Sequence, residues 1–197
     1  MSKAKTKLYD QAYFERWYRG RIASHPQILA RKVALAVAMT ELHLGRPIRS
    51  VLDIGCGEAP WRKALLKLRP NLQYQGVDAS EYVVRRYGRS RNIALGQMQQ
   101  LRIGPPADLL VCADVMHYVP GAELKRGLQG FAELCAGVAY LDVFCREDAI
   151  TGDFKGFIAR SAKQYRTLFT QAGFIALGGH CYLSPQCDTP VSALERL

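Results

Sequence analysis

Residues 50–57 read Ser-Val-Leu-Asp-Ile-Gly-Cys-Gly, followed by Glu58, Ala59, Pro60 and Trp61. Val51, Leu52 and Ile54 make a short apolar run of the kind that suits a strand buried on both faces. Gly55 and Gly57 then let the chain turn tightly and come close to a ligand, where a Cβ would fill the space. A helix from Trp61 to Leu68 opens at that turn. Its first N–H groups and partial positive charge suit an anionic end group.

The same alternation continues outward from this turn. Strands are predicted over Gln73–Asp78, Asn92–Gly96, Asp108–Ala113 and Val138–Phe144, with helices over 80–88, 121–135 and 161–172. The apolar run from Gly173 and Phe174 to Leu183 reads as a sixth strand, and Val191–Leu197 as a last one. Strand–helix alternation at this spacing implies right-handed crossovers and a parallel sheet covered on both faces. The expected fold is α/β: a doubly wound, Rossmann-like, mostly parallel seven-stranded sheet. Two N-terminal helices precede it, one from Asp10, a plausible N-cap, to Gly20, and one from Pro26 to Leu44. The chain reads as one domain over 1–197, with a helical cap or lid over 1–45 and an α/β core over 46–197.

Composition narrows the class. Of the 197 residues, 49% are hydrophobic and 22% charged, the balance of a packed globular protein. No apolar run approaches the roughly 18–20 residues that span a bilayer, and no secretory leader is visible, so a cytoplasmic protein is expected. The six cysteines form no C-x-x-C pair, and neither a zinc site nor a disulfide framework is indicated; Cys181 and Cys187 are the one pair close in sequence. Net charge is +10, and residues 1–32 carry eight Lys/Arg against Asp10 and Glu15. Such an excess suits RNA, an anionic small molecule, a membrane surface or simple solubility.

The glycine turn alone does not separate nicotinamide, flavin, nucleotide and sulfonium ligands. Its neighbours do. Pro60 stands where a dinucleotide fingerprint wants Gly or Ala. Asp53, just before the first glycine, would repel a pyrophosphate but can accept from a ligand ammonium. S-adenosylmethionine (SAM) carries both ammonium and carboxylate, so an acid beside a helix N-terminus matches it better than NAD. Asp78, closing the second strand, can hold both ribose hydroxyls, or it can cap the helix that begins near Ser80.

Taken in order, VLDIGCGEAPW, YQGVDAS, ADLLVCADVMHYV and YRTLFTQAGF resemble the class I SAM-dependent methyltransferase family over roughly residues 50–180. The resemblance implies SAM as cofactor. It places Asp53, Gly55 and Gly57 at the methionine part, Asp78 at the ribose and Ala79 by the adenine. Gln97 and Met98 would pair with or cover the adenine, although the family usually has Asp where Gln97 stands. Ala59 replaces the usual third glycine. Ala113 and Asp114 would flank the methionine end.

On the acceptor side, methyl transfer from a sulfonium is an in-line displacement, so positioning and exclusion of water dominate. His117 and Tyr118 follow the fourth strand where an acceptor should arrive, and His117 could take a proton near neutral pH, or could be structural. Tyr9, Tyr13, Phe14, Trp17 and Tyr18 cluster on the first helix. Tyr13 and Trp17 share a face, as an aromatic lid over the cofactor would require, or as plain packing would. No metal-ligand spacing is present; Asp142, Glu147 and Asp148 read equally as surface or loop residues. The fourth strand lacks the Asn/Asp-Pro-Pro-aromatic motif of nucleobase-amine methyltransferases. The preferred expectation is a small-molecule O- or N-methyltransferase, a monomer or homodimer without membrane contact. An RNA methyltransferase using the basic N-terminus and Arg85, Arg86, Arg89 and Arg91 is the second reading, and a non-catalytic SAM-binding module the third.

Overall fold

A computed structural model describes residues 9–18, 26–102, 104–149 and 153–192. The elements are, in order, α1 (Gln11–Tyr18), α2 (Pro26–Leu44), β1 (Ser50–Ile54), α3 (Pro60–Leu68), β2 (Gln73–Asp78), α4 (Glu81–Arg91), β3 (Ile93–Leu95), β4 (Ala107–Ala113), α5 (Gly121–Leu134), β5 (Cys135–Asp142), α6 (Ala162–Gln171), β6 (Ile175–Gly178) and β7 (Cys181–Leu183). The seven strands form one sheet in the order β3-β2-β1-β4-β5-β7-β6. The first five are parallel, and β7 runs antiparallel to both neighbours.

Burial on both faces explains why the strand sequences read as apolar runs rather than as alternation. Along β4, Leu109 and Val111 face one core together with Val138 and Tyr140 of β5. Leu110 and Cys112 face the other, with Ala139 and Leu141. The first core is closed by Val33 and Val37 of α2 and Leu65 of α3. The second is closed by Leu124, Leu128 and Phe131 of α5 and by Tyr165 and Phe169 of α6. Helix ends follow local chemistry. Ser80 caps α4 by accepting from the Val83 amide at 3.2 Å, and Ser161 with Gln164 forms a reciprocal capping box on α6.

The C-terminal strands depart from the sequence expectation. The run ending at Leu183 is a hairpin of two strands, because Gly178, Gly179 and His180 take φ of +88°, +57° and +65° in succession and reverse the chain. The seventh strand of the described sheet therefore comes from this hairpin. Val191 and Ser192 lie in no strand, and residues 193–197 are outside the described residues, as is Gly20. All six cysteines are free thiols. Among the described residues no helix is long and apolar enough to cross a membrane.

Strand order reverses between β1 and β4, which opens a crevice beyond their carboxyl ends. At the opposite end of the sheet lies a cavity of about 350 Å³, lined among others by His43, Ala136, Gln186 and Thr189. It is remote from the glycine turn.

Candidate functional site

The first wall of the crevice is the turn between β1 and α3. Gly55, Gly57 and Ala59 all take the left-handed conformation, at φ +68°, +52° and +55°. A Cβ on Gly55 would stand 2.3 Å from Val115 Cγ2, so only glycine lets the β1 turn touch the loop after β4. The amides of Gly55 and Cys56 donate to the Val77 carbonyl at 2.7 and 3.2 Å, which ties the turn to the end of β2. Ala59 caps α3 without a side-chain bond, leaving its first amides directed outward.

Asp78 closes β2 beside this turn. Its Oδ2 accepts from the Gly57 amide at 2.7 Å and its Oδ1 from the Ser80 amide at 2.8 Å. Burial pushes its pKa up, against the pull of these two backbone donors. The cap of α4 is Ser80, and Asp78 supports it. Each Asp78 oxygen has a further lone pair, so two more donors can still be accepted.

Asp53 lies deeper than the sequence suggested. It is 2% exposed, and the Tyr74 hydroxyl donates to its Oδ2 at 2.7 Å. Burial raises its pKa to about 7; the Tyr74 bond opposes this rise and the Asp78 charge adds to it. Asp53 is thus enclosed beneath the turn instead of standing open in the crevice.

Helix α1 lies over the end of β2. Asp10 accepts from the Tyr13 amide at 3.0 Å, as an N-cap does. The anchor is Phe14, 2% exposed and stacked on Tyr82 of α4 with ring centroids 5.8 Å apart. Ser80 Oγ donates to the Tyr9 carbonyl, fastening the segment to the α4 cap. Tyr9 packs edge-on against Tyr13 at 5.1 Å. Burial and the charge of Asp78, with that of Asp153 after it, push the Tyr9 hydroxyl up to about 12. Tyr13 is raised by burial, Tyr118, Tyr9, Asp153 and Asp78. These two tyrosines therefore face the crevice. Trp17, expected to share that face, is half-buried with the Arg16 guanidinium 5.2 Å from its ring. Trp61 is 5% exposed and tilts against Tyr140 at 4.8 Å.

The opposite wall is the loop after β4. Ala113 is half-buried and Asp114 takes φ +59°. His117 is 2% exposed, with ring centroids 4.2 Å from Tyr118, 5.4 Å from Phe157 and 5.6 Å from Phe144. Its carbonyl accepts from the Ile158 amide at 2.8 Å. Tyr118 Oη donates to the Asp153 carbonyl at 2.8 Å. Buried Arg160, which sequence reasoning missed, donates to the carbonyls of Val119 at 2.6 Å and Met116 at 3.4 Å and so holds the turn in shape.

Ala79 and Gln97 are exposed at the crevice's far rim. The Gln97 amide oxygen accepts from Gln99 Nε2 at 2.6 Å. The Met98 side chain, expected to cover an adenine, instead points into the second core. It is 5% exposed and lies where a Cβ on Gly127 of α5 would meet its Cε at 2.4 Å.

A polar group that sequence spacing does not reveal lies past the ends of β4 and β5. Lys32 of α2 donates to Asp142 Oδ2 at 2.5 Å, Tyr140 Oη donates to the same atom at 3.4 Å, and His180 Nδ1 stands 3.6 Å from Asp142 Oδ1. Asp142 is 7% exposed, not the surface or loop residue that its sequence context allowed. The Asp114 amide donates to the Asp142 carbonyl at 3.0 Å, joining this group to the crevice. Among the described residues no three His, Cys, Asp or Glu side chains converge as a metal site.

Residues 52–138 match a family model described as a methyltransferase domain. The fold is similar to that of magnesium protoporphyrin IX methyltransferase from Synechocystis PCC 6803, solved with bound SAH, the demethylated product of SAM. That match has a TM-score of 0.63 and 20% identity, covering 84% of this chain and 86% of that one. It is similar also to an amino pentose methyltransferase from Micromonospora echinaspora, solved with SAM (TM-score 0.64, 17% identity, 90% and 97% covered). A sugar N-methyltransferase from Streptoalloteichus sp ATCC 53650 gives a TM-score of 0.64 at 19% identity, with 88% and 90% covered. A search of curated proteins gives no match.

Proposed function

We propose that the chain is a class I methyltransferase that binds SAM across the β1, β2 and β4 loops and transfers its methyl group to a small-molecule O or N acceptor, a reading supported by the match of residues 52–138 to a methyltransferase-domain model. The observation that carries this reading is the Asp78–Gly57 contact. A carboxylate with spare lone pairs is held at the lip of a glycine turn that only small residues can form. Gly55 and Gly57 let the methionine part approach the backbone, and the outward amides of α3 suit its carboxylate. Asp78 accepts the ribose hydroxyls, Ala79 and Gln97 border the adenine, and Ala113 and Asp114 border the methionine end. Asp53 contributes from beneath, by fixing the turn through Tyr74. Bound SAM supplies an electrophilic methyl on a sulfonium.

The chain's own part is to position the acceptor and keep water out. Tyr13 presents a π face that suits a cation, and Trp17 follows one turn along α1. Tyr118 borders the acceptor side, and His117 orders that loop from within its aromatic enclosure. Support for a small acceptor comes from the structural relatives, which act on a porphyrin, an amino pentose and a sugar. Calorimetry tests the reading: SAM and SAH should bind and NADH should not. Asp78→Ala should weaken binding by roughly 1–3 kcal/mol. Tight NADH binding without SAM heat would refute it.

A further inference from the structure

Of the group around Asp142, only Asp114 borders SAM in the reading above; the rest lies beside the same crevice, joined to it by the bond from the Asp114 amide to the Asp142 carbonyl. It is assembled from four elements: Lys32 of α2, Asp114 after β4, Tyr140 and Asp142 of β5, and His180 in the β6–β7 turn. Asp114 and His180 both adopt left-handed backbone without being glycine, a conformation that Asp and His take more readily than most residues. The His180 carbonyl accepts from the Leu141 amide at 2.8 Å, so the turn is fastened to β5.

Its charges are unequal. Lys32 neutralises Asp142, whereas the Asp114 carboxylate has no hydrogen bond or ion pair among the described residues. Two carboxylates against one lysine leave one negative charge in want of a cation. Asp114 is open to solvent, yet crowded enough that burial and the Asp142 charge raise its pKa to about 6 while Lys32 and His180 oppose the rise. Its other titratable neighbours are Cys112, Tyr118 and Tyr140. Open and crowded together describe a group lining a concave surface.

We propose that Asp114, set beside the Lys32–Asp142 pair, is the acceptor-binding carboxylate for a primary or secondary amine. This deepens the methyltransferase reading and rests on it. An ammonium supplies the missing charge. It hands one proton to Asp114; the freed nitrogen lone pair forms the N–C bond as the S–C bond breaks, with that bond's electrons staying on sulfur. The protonated Asp114 then releases its proton to solvent. Hydroxyl acceptors fit less well. A phenol must become an anion, which the charge of Asp153 beside Tyr118 disfavours, and an alcohol is far too weak an acid for a carboxylate to deprotonate. An alkylammonium, at pKa about 10, lies within reach.

The test uses the whole chain saturated with SAH and titrated calorimetrically with amines, each paired with its hydroxyl analogue: glucosamine with glucose, tyramine with tyrosol. Turnover with SAM is followed on the same panel. Amines should bind at least about tenfold tighter than their analogues and alone release SAH. Asp114→Asn keeps a side chain that tolerates left-handed backbone and should abolish that preference. It should also remove the acid limb of kcat/KM near pH 6. Equal binding of hydroxyl analogues, no binding by any amine, or turnover on hydroxyls alone would overturn the proposal. So would a variant that loses SAH affinity in place of amine affinity, since Asp114 would then serve the cofactor. Absence of SAH heat in the unaltered protein would overturn the methyltransferase reading itself.

Discussion

Gly55→Ala isolates the contact on which the two walls of the crevice depend. The new Cβ would lie 2.3 Å from Val115 Cγ2 and 3.2 Å from both Val115 Cβ and Cγ1, in a residue held at φ +68°. Two costs arise. The left-handed backbone disfavours any Cβ by roughly 1–2 kcal/mol, and the overlap with a stiff β-branched neighbour adds roughly 1–3 kcal/mol. Together they predict a loss of about 2–5 kcal/mol in urea unfolding, with weaker SAM binding as the loops are pushed apart. The components separate in a double-mutant cycle. Val115→Ala on the Gly55→Ala background should restore about 1–3 kcal/mol, the steric share, and leave the backbone share in place. A neutral Gly55→Ala, or a double variant no more stable than the single one, would refute the geometry.

Asp53→Asn should flatten the pH dependence of stability. Its folded pKa, about 7, lies above its unfolded value, so its contribution falls as pH rises between about 4 and 7. The variant should be more stable than the parent at pH 8, by on the order of 1–3 kcal/mol; parallel melting curves across pH 4–8 would contradict this. Asp108, 5% exposed, is under an upward push from burial, but the Arg46 fork and the Arg49 amide hold its pKa below the usual range. Asp108→Asn should therefore cost roughly 1.5–3 kcal/mol at pH 7, and the difference should begin to shrink as pH falls through about 3.9 and be lost only below the depressed folded pKa; a constant gap would show that the pair is not ionic. Phe14→Ala should release α1 alone, raising the SAM dissociation rate about tenfold in stopped flow and lowering stability by less than the roughly 3–5 kcal/mol of a core Phe truncation. A full core-sized loss would mean that α1 belongs to the cooperative core.

Elements whose cause is local were legible in the sequence. Pro26–Leu44 and Gln73–Asp78 form with the expected bounds, because Pro at one helix start, Gly45 past its end and a run closed by Asp78 act within a few residues. The hairpin was not, since apolar content ran unbroken to Leu183 and only the left-handed Gly178–His180 step divides it. Of the crevice, the glycine turn and Asp78 stood out as a spaced motif. What hid was contact across distance. Tyr74 reaches Asp53 over 21 residues and Lys32 reaches Asp142 over 110. Phe14 was submerged in an aromatic cluster until Tyr82 of α4 singled it out. The packing of Met98 was hidden too, since its side chain turns inward toward Gly127 of α5, 29 residues further along the chain.

The borders of the sheet bear on how this protein behaves in company. Its outermost strands are β3, of three residues, and β6, of four. Each carries an exposed apolar side chain, Leu95 at 57% and Ile175 at 40%. A long, flat edge with such residues would recruit other chains by strand addition and seed aggregates. Here the free ladders end almost as soon as they begin, one at Gly96 and the other at the Gly178–Gly179 bend. The brevity of these borders leaves little free ladder to act as a template for another chain.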